Sequence, residues 1–572
     1  MESSGTVTGA AMRIWPDHGG SIRRAGQWVE DHPRWVGLAL AVWYCSLVVK
    51  PAFFRPLWHD ELFTFYIARS TTLARMWQAI RSVDLNPPLS YLLTRASLHF
   101  FKPPTFACRL PSMLAFLAGS LLLFAFLQRK TTAIYASLGV LMLWNSSFFY
   151  YATEARPYGL MFAFTMVMLL GWQRATRDER RLPDLLFLAF GGFGLLLSHV
   201  FGVCALTAFW LAEAVRCYLR KKADWALWAC LLLPLVSCAT YVSMVHNESV
   251  ILFPPQWQPS VERTASIYVN QIRMVFFPLL VMLLLAAVWR SKPSTRAFPL
   301  RLPEAVLLGG LLLVPIEISL LLARSHGALF ERYAIVAVIP LAMLPVLSLG
   351  WSTRCNAVAG VLLAACLIPS LYVPLRALVV EDLPAILSPR ETAQVVKWVF
   401  PPPLIDRSVK YLDASYGKSV SSPPVRLSAL DDLHSDLPIV AASALTFLEM
   451  DNRETGAVAR RLYYLTDQEA SAQIAHATLF ESYGELKRVF PIRGTIERYQ
   501  DFVRENPRFL VVGTYGYPED WLLQKLQADG AAARLAWEIP PSYKDQDVYE
   551  ITMPPQSPPL RDKLAATRDD GD

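Results

Sequence analysis

ACRLPSMLAFLAGSLLLFAFLQRKTT, residues 107–132, joins a long apolar run to a short basic segment. A helix of about 20 such apolar residues crosses the ~30 Å hydrocarbon core of a bilayer. The pattern recurs along the chain, in which 54% of the 572 residues are hydrophobic, 18% are charged and the mean hydropathy is +0.32. This composition exceeds what a soluble domain needs for its core, so it predicts a helical membrane protein.

About eleven apolar runs are long enough to span a membrane, and they predict a polytopic helical domain over residues 34–380. The runs lie at 35–53, 107–127, 133–152, 158–173, 183–199, 201–219, 225–245, 274–290, 303–323, 333–350 and 356–378. Two of them meet at Ser198–Gly202 with almost no connection. Merging these two would invert the later topology and break the alternation of basic connections described next.

Lysine and arginine are concentrated in every second connection between the runs. The basic connections are QRKTT at 128, WQRATRDERR at 172, VRCYLRKKAD at 215, WRSKPSTRAFPLR at 289 and STRCN at 352. Basic connections stay in the cytoplasm, which also places the N-terminal tail, residues 1–33, on that side of the inner (plasma) membrane. Residues after about 380 then lie outside. We interpret the net charge of +7 as this topology signal and not as a nucleic-acid site.

The last third of the chain changes character. From about residue 381, the apolar segments LPIVAAS, RRLYYLT, RFLVVGTYG and DVYEITM alternate with helical patterns such as YQDFVRENP. This alternation predicts an external α/β domain over 381–555, followed by a disordered tail, 556–572. RFLVVGTYG lacks the GxGxxG spacing of a dinucleotide-binding turn. No CxxC, zinc-ligand spacing or disulfide framework occurs among the eight cysteines.

Two adjacent acids, Asp60 and Glu61, follow the first apolar run in WHDELFTFYIARS, residues 58–70. They begin the segment 54–105, which the predicted topology places outside as a juxtamembrane loop with an interfacial helix at LARMWQAIRS. Neighbours in a helix diverge by about 100°, so one acid can face a cavity while the other pairs or caps elsewhere. Periodicity alone is equally consistent with a helix N-cap or a solvated pair.

Further motifs follow these acids in a characteristic order. They are W-x-D-E-L, DLNPPLSYLL at 84, YYATEARPYGL at 150, SHVFG at 198 and ERYAIVAVIPL at 331. Over residues 35–380 this order resembles the GT-C class of membrane glycosyltransferases, in the branch of the protein O-mannosyltransferases and lipid A aminoarabinose transferases (families 39 and 83). The resemblance implies an α-helical polytopic GT-C fold with an appended soluble domain. It also implies transfer of a sugar from a polyprenyl-phosphate donor at the outer membrane face.

The resemblance assigns roles to the acids and to several later residues. Asp60 corresponds to the acid/base residue, with inversion at the anomeric carbon, and Glu61 to a supporting residue. The lipid phosphate needs cations and donors, because a guanidinium can hold two phosphate oxygens. The predicted topology places Arg156 and Arg332 at outer span ends near this phosphate, where Tyr158 and Tyr333 could donate hydroxyl hydrogen bonds. Asn86, which also shapes its loop, and His199 are further substrate-binding candidates.

Structural alternatives exist for these residues. Arg156 could only pair with Glu154, and Arg332 could be an interfacial residue that extends towards the headgroups. His199 could orient the leaving group, bind a metal or form a hydrogen bond in the bundle. No ligand set emerges from Asp84, Glu61 and His199, so the use of a divalent metal stays open.

Two rival functions account for less of the sequence. In a lipid or glycolipid transporter or flippase, intramembrane charges would mark the substrate path, but here they cluster at outer span ends, and no internal repeat is visible. A non-catalytic membrane scaffold would leave the ordered motifs unexplained. The sugar and the acceptor, whether envelope glycan, lipid or protein, stay open.

Overall fold

The computed structural model describes residues 20–84, 86–177, 181–241, 252–288, 298–376, 427, 436–478, 481, 483–513, 521–538 and 547–555. The chain divides into two compact units: residues 1–56, 63–250 and 257–418 form the first, and residues 57–62, 251–256 and 419–572 form the second. The domain boundary predicted near residue 380 and the predicted tail at 556–572 lie outside the described residues.

The first unit is built from helices. Its α-helices are α1 (Gly20–Asp31), α2 (Pro33–Phe54), α3 (His59–Ala68, which begins in the second unit), α4 (Leu73–Ala79), α5 (Leu89–Phe100), α6 (Pro104–Gln128), α7 (Ala133–Trp144), α8 (Tyr158–Ala175), α9 (Arg181–Ser198), α10 (Gly202–Arg220), α11 (Trp225–Leu232), α12 (Val261–Val288), α13 (Leu302–Ser325), α14 (Val338–Ser352) and α15 (Ala357–Arg376). Shorter 3₁₀ segments cover Ser147–Thr153, Leu233–Thr240, Pro255–Trp257 and Glu331–Ala337, and a π turn covers Ile80–Asp84.

Each of the eleven predicted runs overlaps one of these α-helices. Among the described residues, six helices are long and apolar enough to cross a membrane: α2, α6, α9, α10, α13 and the continuous Glu331–Ser352. The runs predicted at 133–152 and 225–245 are less regular than expected. Only α7 and α11 are α-helical there, and 3₁₀ segments follow them. Pro234 lies at the start of one such segment and cannot donate an α-helical hydrogen bond.

Glycines allow neighbouring helices of the first unit to pack closely. A Cβ added to Gly119 of α6 would lie 2.4 Å from the ring of Phe162 in α8. A Cβ on Gly191 of α9 would lie 2.7 Å from the side chain of Met168, also in α8. Small residues of this kind are typical of helix interfaces in membranes. Helix α8 is therefore tightly enclosed between α6 and α9.

The ends of the helices next to the basic connections carry two networks of ion pairs, which we call the ion-pair end. In the first network, Lys130 after α6 donates to both oxygens of Glu304 at 2.9 and 2.7 Å. Arg177 after α8 reaches the same carboxylate at 3.1 Å. Because Glu304 lies in the first turn of α13, this network joins the ends of three helices.

The second network of the ion-pair end lies where α10 turns into α11. Arg216 donates to Glu213 and to Asp224, each at 2.6 Å, and Arg181 also pairs with Asp224. Trp172 donates its indole N–H to Glu213 at 3.1 Å. Glu213 is fully buried, so its charge is balanced by hydrogen bonds and not by water.

The second unit contains a six-stranded mixed sheet. Its strands are β1 (Ile439–Ala441), β2 (Leu462–Thr466), β3 (Thr495–Arg498), β4 (Arg508–Gly513), β5 (Ala532–Glu538) and β6 (Asp547–Thr552), in the spatial order β3-β2-β1-β4-β6-β5. Strands β3, β2, β1 and β4 are parallel, and β6 and β5 are antiparallel to their neighbours. The helices are α16 (Ala444–Arg453), α17 (Gly456–Arg460), α18 (Gln468–Ala470), α19 (Tyr483–Val489), α20 (Tyr499–Glu505) and α21 (Leu522–Ala528), with a π turn at Ser471–Ala475.

Four of the six strands coincide with the apolar segments that the sequence analysis identified, and α20 coincides with the helical pattern YQDFVRENP. The predicted α/β character of this region is therefore confirmed. Strands β3 and β5 were not anticipated.

Candidate active site

Asp84 gathers three of the polar side chains in the first unit. Arg156 donates from both terminal nitrogens to the two carboxylate oxygens, at 2.6 and 3.0 Å. The hydroxyl of Tyr91 donates to Asp84 at 2.6 Å, and the amide of Asn86 donates at 3.0 Å. Both charged side chains of the pair are less than 10% exposed. A planar guanidinium fork on a buried carboxylate gives a rigid pair.

The first turn of α8 fixes the position of Arg156. Pro157 precedes this helix at its N-cap, and Tyr158 is its first residue. Gly159 packs directly on α6: an added Cβ would lie 2.5 Å from the hydroxyl and 2.7 Å from the carbonyl oxygen of Ser112. Only a residue without a side chain fits this approach, so EARPYG holds Arg156 and Tyr158 against α6.

His199 occupies the short turn between α9 and α10. The backbone N–H of Phe201 donates to His199 Nδ1 at 3.2 Å, which leaves the proton on Nε2. Burial, together with the charges of Arg156 and Arg332, lowers the pKa of His199 to about 3. The ring is therefore neutral at physiological pH and offers an Nε2–H donor in a region of positive potential.

Aromatic rings surround this imidazole. The ring centroids of Tyr158, Tyr333 and Phe201 lie 5.6, 5.3 and 5.5 Å from that of His199. The rings of Phe201 and Tyr333 are 5.0 Å apart. The two tyrosines from distant motifs, EARPYG and ERY, thus meet at the turn that SHVFG forms.

Two arginines adjoin these rings. The guanidinium of Arg332 lies 4.3 Å from the ring centroid of Phe330 and 5.9 Å from that of Tyr333. Arg263 lies 5.7 Å from the same Phe330 ring and donates to the carbonyl of Leu329 at 2.5 Å. Burial and the charge of Arg332 lower the pKa of Arg263. We call the set of Tyr158, His199, Phe201, Arg263, Phe330, Arg332 and Tyr333 the arginine–aromatic cluster.

Asp60 and Glu61 lie in the first turn of α3, within the second unit. Glu61 is fully buried and accepts the backbone N–H of Trp58 at 3.3 Å, as a residue at the third position of a helix does in a capping box. The Asp60 side chain is 17% exposed, and its Oδ1 accepts from His59 Nδ1 at 3.1 Å. The backbone N–H of His59 donates to Glu449 at 3.0 Å. The two acids therefore have different surroundings.

The structure brings most of the predicted residues together. Asn86 and Arg156 meet at Asp84, whereas Tyr158, His199, Arg332 and Tyr333 share the arginine–aromatic cluster. Asp60 and Glu61 belong to the other unit.

The buried ion pair of Arg156 is formed with Asp84, 72 positions earlier, whereas the sequence suggested the nearby Glu154 as its partner. Sequence reasoning also missed Tyr91 and Arg263. Tyr91 lies within DLNPPLSYLL and could have been found as a partner of Asp84, whereas Arg263 has no motif.

Among the described residues, no group of three or more His, Cys, Asp or Glu side chains is placed to hold a metal ion. The use of a metal therefore stays open.

Comparison with known proteins supports the class that the motifs suggested. Residues 85–241 match the family model described as dolichyl-phosphate-mannose-protein mannosyltransferase. The crystal structure of ArnT from Cupriavidus metallidurans bound to undecaprenyl phosphate is similar to this chain at 14% identity and a TM-score of 0.50, over 92% of this chain and 98% of that one. The apo state of the same protein aligns at 15% identity with the same score and coverage. A search of the curated proteins found no match.

The family model matches residues 85–241, and the chain shares its fold with ArnT; both findings agree with the GT-C class that the motifs suggested. The predicted fold class, a polytopic helical protein with a C-terminal α/β domain, is confirmed. Over nearly its whole length, the chain shares its fold with ArnT.

Proposed function

We propose that this protein transfers a sugar from a polyprenyl-phosphate donor to an acceptor at the outer face of the cytoplasmic membrane. The observation that carries the proposal is the arginine–aromatic cluster in a fold shared with ArnT, which binds undecaprenyl phosphate. Basic connections that stay in the cytoplasm favour this orientation, with the N-terminus inside and the α/β domain outside.

The arginine–aromatic cluster suits a lipid phosphate monoester. Arg332 supplies the guanidinium, because the rings beside it orient a planar group that can hold two phosphate oxygens. Neutral His199 adds its Nε2–H, and the hydroxyls of Tyr158 and Tyr333 are further donors. Arg156, with two nitrogens on Asp84, sets the local potential, and Asp84 in turn accepts the amide N–H of Asn86, a further substrate-facing candidate.

Asp60 is the proposed base. As the acceptor hydroxyl oxygen attacks the anomeric carbon, its proton passes to the Asp60 carboxylate. The bond from that carbon to the phosphate oxygen breaks, and its electron pair leaves with the polyprenyl phosphate. Displacement in one step inverts the anomeric configuration. His59 orients the Asp60 carboxylate, and Glu61 holds the turn that carries it.

The test uses purified protein in liposomes with a radiolabelled lipid-linked sugar. Asp60→Asn keeps the size of the side chain and removes its basicity, so turnover should fall by about 10²–10⁴-fold while donor binding persists. Asp501→Asn, at an exposed acid of the α/β domain, is the matched control and should keep full activity. Full activity of Asp60→Asn, at equal membrane insertion, would show that Asp60 and Glu61 serve only as a helix cap.

The same assay separates the enzyme from a lipid or glycolipid transporter. Release of polyprenyl phosphate supports the transferase. Movement of intact donor between leaflets without cleavage would favour the flippase. A panel of hydroxyl acceptors, from glycan to lipid to peptide, would then identify the acceptor class.

A further inference from the structure

We infer that Glu449 of the α/β unit is a positioning residue for Asp60. The inference rests on the proposed function, in which Asp60 is the base. It starts from one contact: the carboxylate of Glu449 accepts the backbone N–H of His59, the residue before Asp60, at 3.0 Å. Both residues belong to the second unit, which includes residues 57–62 although they are distant in sequence from its sheet.

The contact satisfies a backbone group that helix geometry leaves open. The first N–H groups of an α-helix have no partner within the helix, and His59 is the first residue of α3. Glu61 takes the N–H of Trp58, one position earlier. Two carboxylates therefore cap consecutive amides at the positive end of α3, where negative charge is favourable. Asp60 lies in the same turn and moves with it.

Glu449 is held on a firm support. It lies on α16, whose N-cap Ser443 accepts the N–H of Leu445 at 3.2 Å and whose buried face includes Phe447. Near its other end, Asp451 accepts the backbone N–H groups of Arg493 and Gly494 at 3.0 and 2.7 Å. Because α16 is held near both of its ends, Glu449 on this helix offers the His59 N–H a fixed acceptor. The position of the turn that carries Asp60 therefore depends on the α/β fold.

A second segment is bound to the same unit in a similar manner. Leu252 donates its N–H to Thr478 Oγ1 at 3.1 Å, and the N–H of Thr478 donates to the Leu252 carbonyl at 3.0 Å. The α/β unit therefore holds two segments that the helical part of the sequence contributes. The unit thus contributes to turnover by holding the turn that carries Asp60, apart from any contact with the acceptor.

The experiment compares Glu449→Ala with Glu449→Gln in the full-length protein. The amide oxygen of glutamine still accepts the His59 N–H, whereas alanine leaves it without this partner. Glu449→Ala should lower kcat by about 10–100-fold, since small displacements of a catalytic group cost that much. The KM for the donor should stay within about twofold, and Glu449→Gln should keep most of the activity. Glu505→Ala, at an exposed glutamate of the same unit, is the control.

Hydrogen exchange supplies a readout that does not depend on turnover. In Glu449→Ala, exchange should accelerate by about tenfold in residues 57–62 and remain unchanged in the sheet. Thr478→Val should accelerate exchange at residues 252–256 and leave 57–62 protected. Unchanged exchange at 57–62, faster exchange throughout the sheet, or a normal kcat despite faster local exchange would each overturn the inference. Wild-type protein without turnover would instead refute the proposed function.

Discussion

The two ends of the helical unit both concentrate arginines, but in different surroundings. At the ion-pair end, Arg216 is held by Glu213 and Asp224, and Lys130 by Glu304, in bonds of 2.6 to 2.9 Å. In the arginine–aromatic cluster, the guanidinium of Arg332 instead lies over the ring of Phe330.

The difference indicates that arginine has a structural role at the ion-pair end and a ligand-binding role in the arginine–aromatic cluster. A buried cation enclosed by carboxylates joins helices and is costly to disturb, because its partners would be left buried and unbalanced. A cation oriented by rings can attract an anionic ligand. Burial, together with the positive charge of Arg332, lowers the pKa values of its neighbours His199 and Arg263. The sequence alone does not show which arginines are enclosed by carboxylates and which lie beside aromatic rings.

The largest effect should follow from substitution at the ion-pair end. Arg216→Gln leaves the buried Glu213 without a guanidinium and Asp224 with Arg181 alone, so the free energy of unfolding should fall by about 3–5 kcal/mol. Thermal unfolding in detergent measures this loss. Arg220→Gln, at an exposed position of the same helix, should change little. Unaltered stability in Arg216→Gln would remove the contrast between the two ends.

Replacement of arginine by glutamine in the arginine–aromatic cluster should weaken binding of the donor. Arg332→Gln removes charge-assisted hydrogen bonds to the phosphate, each worth about 1.5–3 kcal/mol, so donor affinity should fall by roughly 10–150-fold. The unfolding temperature should barely change. Binding of a fluorescent lipid-linked sugar measures the loss, with exposed Arg324→Gln as the control. An Arg332→Gln protein that unfolds early but binds the donor normally would reverse the assignment.

The smallest effect concerns His199 and depends on pH. Its pKa is lower in the folded protein, about 3, than its ordinary value of 6.5, so below pH 6.5 the unfolded chain takes up a proton that the folded chain does not. Stability is therefore lost as the pH falls from 6.5 towards 3, by about 2 kcal/mol at pH 5 and almost none at pH 7. His199→Gln should lose less stability between pH 7 and pH 5 than the wild type. Parallel pH profiles for the two proteins would contradict the neutral, buried imidazole.

Run length predicted the helices well, because a bilayer imposes a minimum apolar length that local sequence must supply. The separate α9 and α10 were also visible, since the basic connections alternate correctly only if the chain turns near Ser198–Gly202. The breaks after α7 and α11 were not, because packing decides where an apolar run changes to 3₁₀ geometry. Strand β5 was not predicted because its sequence, AARLAWE, contains no β-branched residue that would signal a strand.

The candidate site was predicted in its residues more than in its contacts. Motifs identified Arg156, His199 and Arg332, but the partner of Arg156 comes from the π turn that ends at Asp84, and no local pattern links the two. The sequence analysis gave helix capping as one possibility for the acid pair, and Glu61 does cap α3. The second capping carboxylate, Glu449, lies 390 positions away from His59, whose N–H it accepts. These contacts join residues that are far apart in the chain, so no short stretch of the sequence reveals them.

The turn between α9 and α10 has a further consequence for ligand binding. His199 donates its backbone N–H to Leu195 at 3.3 Å, and its carbonyl accepts the N–H of Gly202 at 3.0 Å, while Phe201 holds the ring nitrogen. The imidazole has thus lost its rotational freedom during folding. A ligand that meets this donor loses little additional conformational entropy, so calorimetry should show a smaller entropic penalty than a flexible loop would impose.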